Sequence, residues 1–452
     1  MLYDGLYFIL VLIVLLLTIR RLLYGVFLLI VLLPLERFMV TKTLGLNIKL
    51  AEWMGLVCII IFLWNFMVKP QKKMFIQPIL TPLLIFVFVN ILLLLINLPS
   101  LIASGSIEDF NSPGFRSIKV VIWCVYSILV ALAVCYAIKD KRDLKNCIGV
   151  FLGIVMLIST LSLLSMILNL VGVKFMTWAL IGRIGFIGIK ATFSEPAYFS
   201  HYISSILPVA LLIFIVRIYR LGTFFTILAC FILLLAGYFS FSTTGLAGMT
   251  LMLFIIPFLI RRYRLLTVGK GMRYMVMIIL SLYIVFFIGA LFNIDFVRVT
   301  VMNYFEKVIT PETRSAGRAM GLKMFSDHPF VGFGPGNWAW HAQQTYRPVI
   351  LKEIFVRPSY NCLYFEILVD LGILGFIPFL WFFLAFFKQF SKAIRATDDV
   401  FLKTVAVGFI VGFVALLGEY YVAFNFYRIY VWVIFGIAMA AIRLAKEDKK
   451  TA

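Results

Sequence analysis

Between Asn293 and Tyr360 the chain gathers Arg314, Arg318, His328, the run Gly332-Phe333-Gly334-Pro335-Gly336-Asn337, His341, Arg347 and Arg357. Guanidinium groups are natural bidentate partners of phosphate, and imidazoles exchange protons near neutrality. Such a segment is equipped to hold an anion and to move a proton. Arg314 and Arg318 are four apart, so a helix presents them on one face. They repel each other there unless an anion lies between them; the competing reading is two solvated arginines on an amphipathic helix. The glycine-rich run offers backbone N–H groups as an anion nest, or is a plain reverse turn. It is not a P-loop, because no Gly-Lys-Ser/Thr ending follows and no strand precedes it.

Further candidates lie in other segments. Arg183 and Lys190 fall in a second polar stretch, residues 171–197, and are expected to converge on the same anion. Glu195, just before Pro196, stands at the start of an apolar span; it is either a general base whose strength its surroundings tune or a helix-start charge that favours the macrodipole. His201, further along that span, reads as a packed helix residue. Glu366 and Asp370 are four apart near the start of a later span. Carboxylates inside a membrane helix are costly and face a cavity or a partner, here expected to be the loop arginines; a snorkelling interfacial pair is the alternative.

The elements that position these groups are membrane helices. With 452 residues, 63% of them hydrophobic, and a mean hydropathy of +1.07, the chain reads as polytopic and all-α. Runs long enough to cross a core of roughly 30 Å fall near 3–19, 22–38, 50–68, 78–97, 117–138, 147–170, 198–216, 222–240, 243–260, 274–292, 361–387, 401–418 and 427–443. These are thirteen spans, or twelve if the first two form one bent element. The chain divides into residues 1–292 with short loops, the large loop 293–360, and residues 361–452. Within that loop, Thr310-Pro311-Glu312 reads as a helix start and Asp327-His328-Pro329 as its end. Met1 to Gly5 shows no basic region of a cleavable signal.

The net charge of +21 collects in alternate loops, around Lys69–Lys73, Lys139–Lys145, Arg217–Arg220, Arg261–Arg273 and Lys388–Arg395. By the positive-inside rule those loops are cytoplasmic and the large loop is extracytoplasmic. The basic balance then reports contact with anionic lipid and not nucleic acid. Six scattered cysteines and three histidines make no metal-spaced cluster, so neither metal nor cofactor is expected.

The order of these motifs resembles that of the bacterial O-antigen ligases and O-antigen (Wzy-type) polymerases. Arg314 is followed by His328-Pro329-Phe330-Val331-Gly332-Phe333-Gly334-Pro335-Gly336-Asn337, and later by Asn361-Cys362-Leu363 and Asp370-Leu371-Gly372-Ile373-Leu374-Gly375. Ser242-Thr243-Thr244-Gly245-Leu246 and Thr192-Phe193-Ser194-Glu195-Pro196 are weaker similarities. The resemblance spans roughly 180–380. It implies a metal-independent, inverting glycosyltransferase of the membrane-embedded GT-C type, working at the periplasmic or exterior face of the bacterial cytoplasmic (inner) membrane. The donor would be a glycan on undecaprenyl pyrophosphate, attacked by an acceptor sugar hydroxyl, with a chain-length regulator as a further partner. By position, Arg314 would bind the donor pyrophosphate, Asn361 would line the site, and Asp370, Gly372 and Gly375 would match the helix after it.

Ligases carry a histidine directly before the asparagine, and here that residue is Tyr360, a poor base at neutral pH. This favours a polymerase over a ligase and leaves Glu195, His341 or an acceptor-driven route to take the proton. The expected site is therefore Glu195, Arg314 and His341 for catalysis, with Arg183, Lys190, Arg318, Asn337, Arg347, Tyr360, Asn361, Glu366 and Asp370 around the substrate. A transporter of lipid-linked oligosaccharide is the reading from another class. It requires charge along a mid-membrane path, whereas most spans here are uninterrupted Leu, Ile, Val and Phe.

Overall fold

Long runs of Leu, Ile, Val and Phe satisfy their backbone groups within a bilayer only as helices, and helices dominate the structure. The computed structural model describes residues 14–36, 39–41, 48–68, 77–103, 112–183, 186–216, 218, 223–240, 242–263, 265, 312–342, 362–421 and 426–451. In chain order the elements are α1 (Leu22–Leu32), β1 (Met39–Thr41), β2 (Ile48–Lys49), α2 (Leu50–Val68), α3 (Gln77–Ala103), α4 (Pro113–Ala137) and α5 (Lys141–Leu170). Then follow β3 (Leu180–Arg183), β4 (Phe186–Ile189), α6 (Pro196–Ile215), α7 (Thr223–Phe239) and α8 (Thr243–Arg262). The last group is α9 (Glu312–Asp327), α10 (Trp338–His341), α11 (Leu363–Ala396), α12 (Val400–Glu419) and α13 (Ile429–Thr451).

Among the described residues, eight helices are long and apolar enough to cross a membrane. This is a polytopic membrane protein. The expected spans from 22–38 to 243–260 and from 361–387 to 427–443 each coincide with a described helix. Span 274–292 and most of 3–19 lie outside the described residues. Residues 14–20 are helical, and an extended Arg21 separates them from α1.

The helix starts follow local chemistry. Ser112, Asp140, Ser242 and Asp399 accept the backbone N–H three residues on, at 3.4, 2.8, 3.5 and 2.9 Å, which satisfies one orphan donor per helix. The polar stretch 171–197 departs from an all-helical reading, since β3 and β4 form an antiparallel hairpin there, with Leu180 opposite Ile189. A second small hairpin joins β1 to β2.

The helices sort by depth. In α6, 94% of the apolar window is buried, against 33% in α2 and α3. A helix apolar on every side belongs in the centre, and α6 packs there against α12 and α8. Between α11, α12 and α13 the interior is filled by aromatic rings, among them Phe413 stacked on Phe435 at 4.7 Å and 8°, and Phe382 against Phe386 and Phe435.

Candidate functional site

The site is organised by a break in α11. Gly372 sits at φ 60°, ψ −164° inside the helix, a conformation essentially reserved for glycine. In an unbroken helix Ile373 and Leu374 would donate to the carbonyls of Val369 and Asp370. Both bonds are replaced by bonds to the loop after α9. Phe333 N–H donates to Val369 O at 3.0 Å and Gly334 N–H to Asp370 O at 2.9 Å. In return, Ile373 N–H donates to Pro329 O at 2.9 Å and Leu374 N–H to Phe330 O at 3.3 Å. Residues 329–334 are thus a peptide wedge inserted into a membrane helix.

The Asp370 side chain completes the joint. Its Oδ2 accepts from Gly336 N–H at 2.8 Å; its Oδ1 accepts from Asn337 N–H at 3.1 Å and Trp338 N–H at 2.8 Å. The glycine-rich run does form an anion nest, and the anion in it is the chain's own carboxylate. The expected partners of Asp370 were loop arginines; the observed ones are backbone donors, which suit a carboxylate that is only 5% exposed. Asn337 is equally committed. Its Nδ2 donates to Ser117 Oγ at 2.5 Å, and Ser117 in turn donates to Pro335 O at 2.7 Å. These bonds fasten the turn to the first turns of α4.

The wedge also fixes the arginine helix. Met320 and Met324 of α9 pack with Phe333, Ala342, Cys362 and Val369, so the C-terminal half of α9 is seated on α11. Arg314 and Arg318 ride on its N-terminal half, four apart on one helix as the spacing predicted. Phe333 lies between two imidazoles, 4.5 Å from the His328 ring and 4.6 Å from that of His341. Burial, and then the neighbouring His328, push His341 down to about 4, so its imidazole is neutral at pH 7. Half-buried Glu366, one turn before Asp370, bonds the Trp338 side chain.

Arg116 of α4 is a cation that the sequence reading passed over. Its backbone lies under Gly336, and its charge is within electrostatic reach of Glu366 and Asp370. A second missed cluster adjoins. Glu36 accepts from Arg428, from Lys49 at 2.5 Å, and from the N–H and hydroxyl of Ser194 at 3.4 Å. Arg428 also lies 3.7 Å over the Tyr198 ring, a cation–π contact. The neighbouring Tyr427 lies within electrostatic reach of Cys124, Glu366 and Asp370. The dipeptide Tyr427-Arg428 therefore bridges the Asp370 joint and the Glu36 cluster.

The other expected residues fall as follows. Glu195 is exposed at the start of α6, beside Ser194. Lys190 is half-buried after β4, its N–H donating to Ala179 O at 2.9 Å. Arg183 ends β3, paired with Phe186. Arg347, Arg357, Tyr360 and Asn361 lie outside the described residues. His201, read as a packing residue, is instead paired with Glu419: its Nδ1 meets Glu419 Oε2 where both side chains are 0% exposed. Gly248 leaves room for that carboxylate, since a Cβ there would lie 2.2 Å from Glu419 Oε1.

Residues 228–380 match the family model described as O-antigen ligase. This match supports the resemblance of the chain to the O-antigen ligase/polymerase superfamily over that region. The superfamily region runs from α7 past the α11 break, so it contains α9, the wedge and Asp370. Arg116, Glu195, His201 and Arg428 lie outside it. No curated protein matches the chain.

Proposed function

We propose that the protein is a membrane glycosyltransferase that joins undecaprenyl-pyrophosphate-linked repeat units into a surface polysaccharide. The observation that carries this reading is the joint itself. Within the superfamily region, the wedge and Asp370 seat the helix bearing Arg314 and Arg318 on α11, with Arg116 alongside.

In this reading the acceptor hydroxyl attacks the anomeric carbon of the donor, and the bond from that carbon to the pyrophosphate oxygen breaks. The departing pyrophosphate gains negative charge, which Arg314, Arg318 and Arg116 meet in the transition state. Arg183, Lys190 and Arg347 are assigned to the same anion. Glu195 receives the hydroxyl proton, being exposed beside a cation-rich cluster, while His341 packs against Phe333 in the turn. Tyr360, Asn361 and Glu366 are assigned to the sugars, and Asn337 and Asp370 position the loop.

A polymerase is preferred over a ligase because Tyr360 stands where ligases carry histidine. The transporter reading is disfavoured by the aromatic stack filling the space between α11, α12 and α13. Basic residues at the opposite helix ends, such as Arg21, Lys141, Lys392 and Arg395, support a bacterial cytoplasmic membrane with the site facing outward. The test is reconstitution in vesicles with lipid-linked repeat units alone. A ladder of lipid-linked oligomers supports a polymerase. Transfer only after a separate glycan acceptor is added indicates a ligase, and movement of intact substrate across the vesicle wall a transporter.

A further inference from the structure

A groove of about 230 Å³ runs between α2 and α4 beside this site. Trp53 and Leu56 form one wall, Ile118 and Ile122 the other, and these side chains are 38%, 39%, 39% and 61% exposed. On a membrane protein an apolar surface alone says little, because lipid tails are as apolar as leucine. The charges at this groove are more informative.

Two charged residues line it, Glu52 and Lys119. The Glu52 carboxylate accepts the backbone N–H of Lys49 at 2.7 Å. Lys119 forms no ion pair with another described residue. Three residues earlier on the same helix stands Arg116, on a neighbouring position of the helix surface. α4 therefore lines the groove with the Lys119 side chain and sets the Arg116 charge within electrostatic reach of the Asp370 joint, less than one turn away. Arg428 reaches the same corner, acting electrostatically on Glu52.

We propose that the groove between α2 and α4 holds the isoprenoid tail of a polyprenyl pyrophosphate, with the pyrophosphate resting on Lys119 and Arg116. The inference rests on the glycosyltransferase reading and locates the donor lipid within it. Two adjacent cations suit a doubly charged headgroup better than a zwitterionic phospholipid. A tail lying in this groove brings its headgroup to the α4 turn that contacts Gly336. An annular phospholipid gains nothing from that placement.

The experiment uses the full chain in phosphatidylcholine nanodiscs and a polyprenyl pyrophosphate with a photoactivatable diazirine on its tail. Labelling is expected in residues 48–56 and 115–126. It should fall about tenfold, equivalent to 1.4 kcal/mol, in Ile122→Trp, which fills the groove from a lipid-exposed position. Leu157→Trp, at a 54% exposed position on α5, should label like the parent. Lys119→Glu should weaken the pyrophosphate probe and leave a diazirine-tagged polyprenol without phosphate unchanged. Labelling elsewhere, indifferent to Ile122→Trp, overturns the groove while the glycosyltransferase reading stands. Displacement by phosphatidylglycerol as readily as by unlabelled polyprenyl pyrophosphate also overturns it, as a general anionic-lipid surface. If the probe binds nowhere on the protein, the glycosyltransferase reading falls and the inference with it.

Discussion

Gly332 and Gly372 face each other across the joint with left-handed backbones, at φ 62° and 60°. A Cβ on Gly332 would lie 2.5 Å from the Asp370 carbonyl, and one on Gly372 would lie 2.2 Å from Phe330 O. Each glycine is required by the segment that carries the other. Strained backbone of this kind costs on the order of 1–3 kcal/mol for a residue with a side chain, before the overlap is counted. Gly372→Ala and Gly332→Ala should each lower the unfolding temperature in detergent and abolish transfer. In contrast, Gly153→Ala, with nothing within 4 Å of the added methyl, should be neutral or slightly stabilising. Equal thermal stability of all three variants would contradict the wedge.

Asp370→Asn keeps an acceptor at one oxygen and sets an N–H₂ against a backbone N–H at the other. Hydrogen bonds to a charged group contribute about 1.5–3 kcal/mol each, so the turn should loosen. Amide hydrogen exchange at Gly336, Asn337 and Trp338 should accelerate at least tenfold while exchange within α6 is unchanged. Unaltered protection at those three amides would mean that the carboxylate does not hold the turn.

The His201–Glu419 pair joins the central α6 to the end of α12 in the dry interior. Removing one partner of a buried pair strands the other, at about 3–5 kcal/mol. His201→Ala and Glu419→Ala should each destabilise the protein by that order. The double variant should lose clearly less than the sum, because no partner remains stranded. Simple additivity in a denaturation cycle would show the two side chains to be energetically independent.

His341 offers a pH test. Its folded value, about 4, lies below the ordinary histidine value near 6.5. Between those values the unfolded chain binds the proton more readily than the folded one. Stability contributed by this site is therefore full above about pH 6.5, declines as pH falls from there to about 4, and is flat below. His341→Phe, which cannot be protonated, should flatten that part of the stability profile. A His341 titration midpoint near 6.5 by NMR would contradict the half-buried environment beside Phe333 and near His328.

Much of this architecture is legible in the residues themselves. The apolar runs announce the helices because a bilayer admits few other structures. α9 is legible too, since Asp327-His328-Pro329 must end a helix and its basic residues recur at helical spacing. The α11 break is not. Asp370-Leu371-Gly372-Ile373-Leu374-Gly375 reads as continuous apolar helix, and the bonds that open it come from a loop some forty residues upstream. Arg116 is hidden for a similar reason: it is one cation at the start of a long span until the turn folds onto it. Glu419 adjoins Tyr420 and Tyr421 in the chain and reads as the start of an aromatic loop, and only the packing of α12 against α6 carries it inside to His201.

The most direct test of the central claim is the glycan profile of a strain whose only copy carries Arg314→Ala, with lipid-linked and surface material resolved by length. The account predicts single repeat units accumulating on the lipid carrier and no surface polymer, with the variant protein present in the membrane at parental level. Surface polysaccharide of normal amount and length, made by that same variant, would contradict it.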